Sequence, residues 1–399
     1  MTTTPSVRIL WRYQPEILLA FRVGLLALAA GALVILARVA VGGGAVEPLV
    51  DPIPSLLAWV ESALFGVVLM VFGSAAGRST RDRLIGPIVL VSCALTFVAV
   101  AAIAGVELIT WIAGGVLSAA LAAYWLRFVQ FSTRGSGVAG LSAAQLALAA
   151  SLLALLLGWA VAIAAAALTA SPLGVAPAAL GYMSLAAAAL SERRLADGLG
   201  DRTRSSDAVV ALLFISGLLA TAALATAVVP LFLLASVLQA AGVAILAVRL
   251  RRGVIRGGRS RAHGERHVAA AVVWLAAGAI LLVAHAWRLV TGGTGGPSDR
   301  IGDAFWWTLL VGVLSSLLIG AMRDEELERS RRWPWCDDVV FWGLEAGLLA
   351  LVAATLGDRP AVGSVAVAVV GLSALLAFAV HEVRLASSIP SPVVRTSQS

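Results

Sequence analysis

The side chains in this chain that could do chemistry lie where charge is costly. Arg22 falls about five residues into the apolar run 17–41, and Glu345 about seven residues into the run 338–356. At 1.5 Å per residue both stand roughly 8–10 Å below the same face, close enough to pair if their helices touch. Glu61, about eight residues from the opposite face in the run 53–77, could meet Arg38 near the end of the first run. His285, inside the run 268–290, completes a candidate intramembrane polar set of Glu61, Arg38, Arg22, Glu345 and His285. Polar groups at such depth support two readings, a proton or ion relay and a structural ion pair, with snorkelling as a further possibility for Arg22.

The four histidines are His263, His267, His285 and His381. The first two fall in an arginine-rich segment and are expected to be solvated loop residues. His285 and His381 lie in apolar runs, His285 some 25 Å up from one face and His381 close to that same face. Ligands of one iron must lie within a few ångströms of it, and a depth difference of roughly 20 Å forbids that. Cys93 is expected in a helix and Cys336 in a loop. The two fall in different compartments and outside any CxxC pair, so they suggest neither a disulfide nor a zinc site.

The elements that must position these groups are apolar throughout. Of 399 residues, 60% are hydrophobic and 13% charged, against roughly 25% charged in soluble domains. A chain of this length cannot hide so much apolar surface from water. Each membrane crossing takes about 20 residues. The runs 17–41, 53–77, 84–106, 108–131, 138–170, 173–190, 208–229, 230–249, 268–290, 304–322, 338–356 and 361–384 give an all-α bundle of about twelve transmembrane helices. The 138–170 run is overlong and must tilt or include a non-spanning part. The 208–249 run is too long for one crossing and is divided at Pro230.

Arginine fixes the orientation. With the N-terminus inside, the inner ends and loops collect Arg8, Arg12, Arg78, Arg81, Arg83, Arg127, Arg134, Arg193, Arg194, Arg202, Arg204, the Arg249–Arg266 cluster, and later Arg323 to Arg332, Arg384 and Arg395. The outer side receives Arg38, Arg288, Arg300 and Arg359. This positive-inside bias puts both termini in the cytoplasm and accounts for the net charge of +7 without a nucleic-acid partner. The first apolar stretch, with no small-residue cleavage site, is expected to be a membrane helix rather than a removed signal. The expected organisation is a first six-helix half (1–190), a central cytoplasmic loop (191–207), a second half (208–386) and a polar, disordered tail (387–399). The expected location is the plasma membrane of a prokaryote, with the lipid bilayer and other membrane subunits as partners.

Composition excludes some chemistry. The chain has no lysine, hence no Schiff base to retinal or pyridoxal phosphate, and no asparagine, hence no N-glycosylation sequon. Walker A, HExxH and GxSxG motifs are missing. The many tryptophans, among them Trp11, Trp59, Trp111, Trp306, Trp333 and Trp335, fall near helix ends as an interfacial belt. The 39 glycines and many alanines let helices approach closely. Leu64–Arg83 and Leu310–Arg332 share an apolar stretch, a glycine, small residues and a charged loop, which a repeat or any two positive-inside helices would produce.

Two family resemblances follow. Asp303–Arg323 (DAFWWTLLVGVLSSLLIGAMR) resembles the signature helix of the NnrS family, twelve-helix membrane proteins linked to haem, copper and nitric-oxide stress; the likeness lies in the V-G-x-L-S-S-x-x-x-G run from Val311 to Gly320. Leu64, Phe65 and Gly66 after Glu61 are similar to that family's second helix. Where the family places histidine, this chain has Trp307 and either Trp59 or Glu61, so no ligand carries over. The resemblance implies a divergent member without the metal centre, in a membrane redox or stress role or as a non-catalytic subunit, with haem implied by the family alone. The alternative is a secondary transporter. Leu195–Arg204 (LADGLGDRTR) is similar to the G-x-L-A-D-x-x-G-R-R loop of the major facilitator superfamily, but follows the sixth helix rather than the second or eighth. The 2–3 loop, Gly73–Leu84, has Gly77 where that superfamily has aspartate.

Overall fold

The computed structural model describes residues 141–169, 176–195, 202–259, 263–292, 297–317, 319–320, 323 and 333–388. The expected crossings between 17 and 131, and with them Arg22, Arg38, Glu61 and Cys93, lie outside the described residues. Among the described residues every regular element is helical. In chain order they are α1 (Ala143–Thr169), α2 (Ala176–Leu195), α3 (Arg204–Thr226), α4 (Val229–Arg259), α5 (His263–Val290), α6 (Pro297–Trp307), a π-helical stretch (Thr308–Ser315), α7 (Pro334–Leu356) and α8 (Pro360–Ser388). Stretches of α3, α4, α5, α7 and α8 are each long and apolar enough to cross a membrane, and the molecule is accordingly a multi-pass helical membrane protein.

The helices begin and end where backbone chemistry allows. Thr203 caps α3 in a capping box, its hydroxyl accepting from the Ser206 N–H and the Ser206 hydroxyl oxygen accepting from the Thr203 N–H. The overlong 208–249 run does divide beside Pro230. Ala227 takes a left-handed conformation (φ 56°) and closes α3, and the chain restarts at Val229 with Pro230 in the first turn of α4, where a missing N–H is harmless. Helix α1 has 27 residues, about 40 Å, more than the roughly 30 Å of hydrocarbon, as the overlong 138–170 run foretold.

Two expectations about boundaries need correcting. The arginine-rich segment after residue 249 is not a loop: α4 continues to Arg259 and α5 begins at His263. The crossing expected at 304–322 starts earlier, at Pro297, and changes from α to π hydrogen bonding at Thr308. In both cases the sequence marks where hydrocarbon ends, while backbone hydrogen bonding continues beyond it.

Successive helices pack as antiparallel hairpins, α1 on α2, α3 on α4, α4 on α5 and α7 on α8. Helix α2 lies centrally against α1, α3, α4 and α5, and the π-helical stretch contacts α5, α7 and α2. In lipid, apolar surface gives helices little reason to associate, so close approach and internal hydrogen bonds must hold them. Both occur. A β-carbon on Gly217 would stand 2.4 Å from the Gly181 Cα, so α2 and α3 meet backbone to backbone. Beside that contact, Gln239 of α4 donates to the Ser184 hydroxyl at 2.8 Å and accepts from the Ser216 hydroxyl at 3.3 Å, tying three helices in the buried interior.

The hairpin geometry gathers the starts of α3, α5 and α7 and the finishes of α4 and α8 at one end. The ion pairs Arg202–Asp207, Arg249–Glu192, Arg266–Asp338 and the Arg323–Asp337–Arg384 cluster lie at this arginine-bearing end, and Arg300–Asp358 lies at the other.

Candidate functional site

Glu345 stands on α7, eleven residues past its start, on the face toward α5 and the π-helical stretch. Its carboxyl group is divided between two neutral donors. The Trp274 indole N–H of α5 donates to Oε2 at 2.5 Å, and the Ser316 hydroxyl, at the residue closing the π-helical stretch, donates to Oε1 at 3.2 Å. The carboxyl group is half-buried within an apolar span. Among the described residues no cation pairs with it.

The local backbone accounts for this meeting. A π-helix hydrogen-bonds i to i+5 and is rare, usually a single turn, often at functional sites. Here it runs for 8 residues. Gly312 lies inside it, where a β-carbon would come 2.6 Å from the Leu348 Cδ2 and 2.8 Å from the Trp274 Cγ. The missing side chain is therefore what lets the indole lie across the turn and reach Glu345. Four residues on is Ser316, and four further is Gly320, whose β-carbon would meet the Gly264 carbonyl oxygen of α5 at 2.8 Å. Gly312, Ser316 and Gly320 thus make one narrow face that presses the chain against α5 and α7 and carries one hydroxyl into the contact.

A second cluster closes the arginine-bearing end. Asp337, in the first turn of α7, is fully buried and takes Arg384 of α8 bidentately, Nη2 to Oδ2 at 2.8 Å and Nη1 to Oδ1 at 3.1 Å. The Arg323 Nε lies 3.0 Å from the same Oδ1, and each guanidinium is only 2% exposed. Trp333, held at φ 55°, turns its carbonyl oxygen toward Arg384 Nη2 at 3.5 Å. The neighbouring Asp338 faces outward and pairs with Arg266 of α5, whose guanidinium lies 5.4 Å from the centre of the Phe341 ring. Two adjacent aspartates at one helix start therefore hold α5, α8 and the segment below the π-helical stretch together.

The structure places the candidates named from sequence unevenly. Glu345 is in a site, but its donors Trp274 and Ser316 carry no mark in the sequence as partners. Arg22, the partner expected for it, lies outside the described residues with Arg38 and Glu61. His285 is half-buried on α5 near the end opposite the arginines, with Phe232 edge-on at 6.1 Å, and belongs to neither cluster. His381 is buried on α8 one turn before Arg384, at the arginine-bearing end. Two readings are corrected. His267 is not a solvated loop residue but a fully buried helical one, edge-on to Phe341 at 4.9 Å. Cys336 is not in a loop but buried in the first turn of α7. Trp307, standing where the NnrS family has histidine, is buried at the end of α6. Among the described residues no three or more His, Cys, Asp or Glu side chains converge as metal ligands would.

No protein-family model matches the chain, and no curated protein matches it.

Proposed function

We propose that the chain is a twelve-span plasma-membrane protein of a prokaryote, with both termini in the cytoplasm, in which Glu345 is the working group, a carboxyl that exchanges a proton or small cation inside the bilayer. One observation carries this reading: both carboxyl oxygens are engaged by neutral donors from other helices at a π-helical turn. The structural charges of the same molecule are held differently. Asp337, Asp338, Glu192 and Asp358 each meet a guanidinium, as carboxylates do when their task is to stay ionised and hold helices. A carboxyl group kept in hydrocarbon among neutral donors is expensive unless its charge is meant to come and go.

The setting we favour is a divergent member of the NnrS family without that family's metal centre, acting in a membrane redox or stress context or as a non-catalytic subunit. Support comes from the resembling run itself, because Gly312, Ser316 and Gly320 build the packing around Glu345 and not a ligand set. A second reading, a secondary transporter of the major-facilitator type, is favoured by the charge arrangement. The arginine-bearing end is latched by a buried cluster, while among the described residues the opposite end has one exposed ion pair, Arg300–Asp358.

The test is Glu345→Gln in proteoliposomes loaded with a pH-sensitive dye. The wild type is expected to move protons on an imposed gradient and the variant to lose that movement while eluting as the same folded species. Equal fluxes would refute the role of Glu345. A Soret band or near-stoichiometric metal in the purified protein would overturn the reading without a metal centre, and substrate exchange by a colourless protein would select the transporter.

A further inference from the structure

The exposed side of α4 changes character along its length. Leu234, Val237, Ala241, Ala244 and Val248 are exposed at successive spacings of three or four, which is one continuous stripe of a helix surface. The stripe then runs into Arg251 and Arg252, both exposed. From Val229 to Val248 the helix rises about 28 Å, close to the roughly 30 Å of a hydrocarbon core. Arg251 and Arg252 follow about 5 Å further along, at the depth of lipid phosphates.

The arginines at this level divide by partner. Arg249 turns into the bundle, its Nε 2.5 Å from Glu192 Oε1 and its Nη1 donating to Thr203 Oγ1 at 2.5 Å and Ser205 Oγ at 3.0 Å. Those bonds also fix the register of the α3–α4 hairpin at this end. Arg251 and Arg252, by contrast, make no ion pair or hydrogen bond among the described residues. Two guanidiniums that meet no carboxylate among the described residues, directly beyond a continuous apolar stripe, match a molecule that is apolar along one helix length and anionic at its tip.

We propose that this ridge seats an anionic phospholipid, acyl chains along Leu234–Val248 and headgroup phosphate on Arg251 and Arg252. An arginine near an anionic surface contributes about 1 kcal/mol, so removing both charges should weaken the lipid about 30-fold. The experiment is native mass spectrometry of the delipidated full chain titrated with phosphatidylglycerol or phosphatidylcholine. The wild type should retain phosphatidylglycerol in preference. R251Q/R252Q should lose that preference, R251K/R252K should keep it, and R288Q/R359Q, with equal charge removed from exposed arginines at the opposite end, should keep it too. Equal retention of the two lipids by the wild type, undiminished phosphatidylglycerol on R251Q/R252Q, or an equal loss in R288Q/R359Q would each overturn the proposal. So would displacement of the lipid by inorganic phosphate at matched concentration, which would mark a phosphate site without a role for the acyl chains.

Discussion

Asp337 and Asp338 are neighbours on one helical turn, and replacing either with asparagine removes the same charge. The structure predicts very different outcomes. Asp337 is fully buried and holds two guanidiniums that are each 2% exposed. Without its charge, Arg384 and Arg323 share a buried site with no counter-ion in that position, and breaking a buried pair from one side costs about 3–5 kcal/mol. Asp338 is 51% exposed and pairs with an Arg266 that is 21% exposed, so its loss should cost no more than about 1 kcal/mol. Asp337→Asn should therefore lower the unfolding midpoint in detergent by about 5 °C or more, and Asp338→Asn by far less. Thermal unfolding followed by size-exclusion chromatography of both variants decides the matter. The double variant Asp337→Leu/Arg384→Leu should recover much of the loss, because two apolar groups leave fewer charges buried without partners. Equal shifts for Asp337→Asn and Asp338→Asn would refute the reasoning, since burial would then not be what separates them.

Three further outcomes are expected. Gly217→Leu should prevent α2 and α3 from closing and leave little folded protein, whereas Gly292→Ala, with nothing within 4 Å of the added carbon, should cost only the strain of φ +82°, about 1 kcal/mol; yield of monodisperse protein separates them. Gln239→Leu should lose the links to Ser184 and Ser216 and destabilise by about 0.6–2 kcal/mol, measured by denaturation in mixed micelles, with no change expected in Ser216→Ala/Gln239→Leu beyond the single variant. Cys336 is 1% exposed, so in a Cys93→Ala variant a maleimide should label the protein only after unfolding, and rapid labelling of that native variant would contradict the place of Cys336 in α7.

Much of the helical layout was legible because hydrocarbon imposes a length. The division at Pro230, the overlong α1 and the arginines gathered at one end follow from apolar run length, proline chemistry and the cost of burying guanidiniums. The same criterion misplaced other boundaries. Nothing in a hydropathy pattern stops the backbone ladder of α4 at the membrane surface, and Arg251, Arg252 and Arg256 are good helix formers. The burial of His267 is hidden in the sequence for the same cause: its arginine-rich surroundings read as a loop, whereas α5 already covers it and Phe341 packs edge-on against its ring. The π-helical turn was invisible because an apolar run has no polar face to lose phase against. Trp274 could not be assigned to Glu345 either, being one tryptophan among twelve and 71 residues away.

What gives Glu345 meaning is the contrast between two ways of burying a carboxyl group in one helix. Asp337 and Glu345 are eight residues apart on α7, close to two helical turns, and face different neighbours. Asp337 is met by two guanidiniums at the membrane edge, where arginine can enter from the aqueous side at low cost. Glu345, roughly 12 Å further along, is met by an indole and a hydroxyl. Had packing alone been required there, an apolar residue would have filled the place without the expense of a carboxyl group. Had a permanent ion pair been required, arginine at Trp274 or Ser316 would have supplied it. The Ser316 hydroxyl can turn from donor to acceptor when the carboxyl group carries a proton, while the indole N–H still donates to the other oxygen, so this pair can hold the group in either protonation state; a guanidinium only donates, and an exchanging group needs the former.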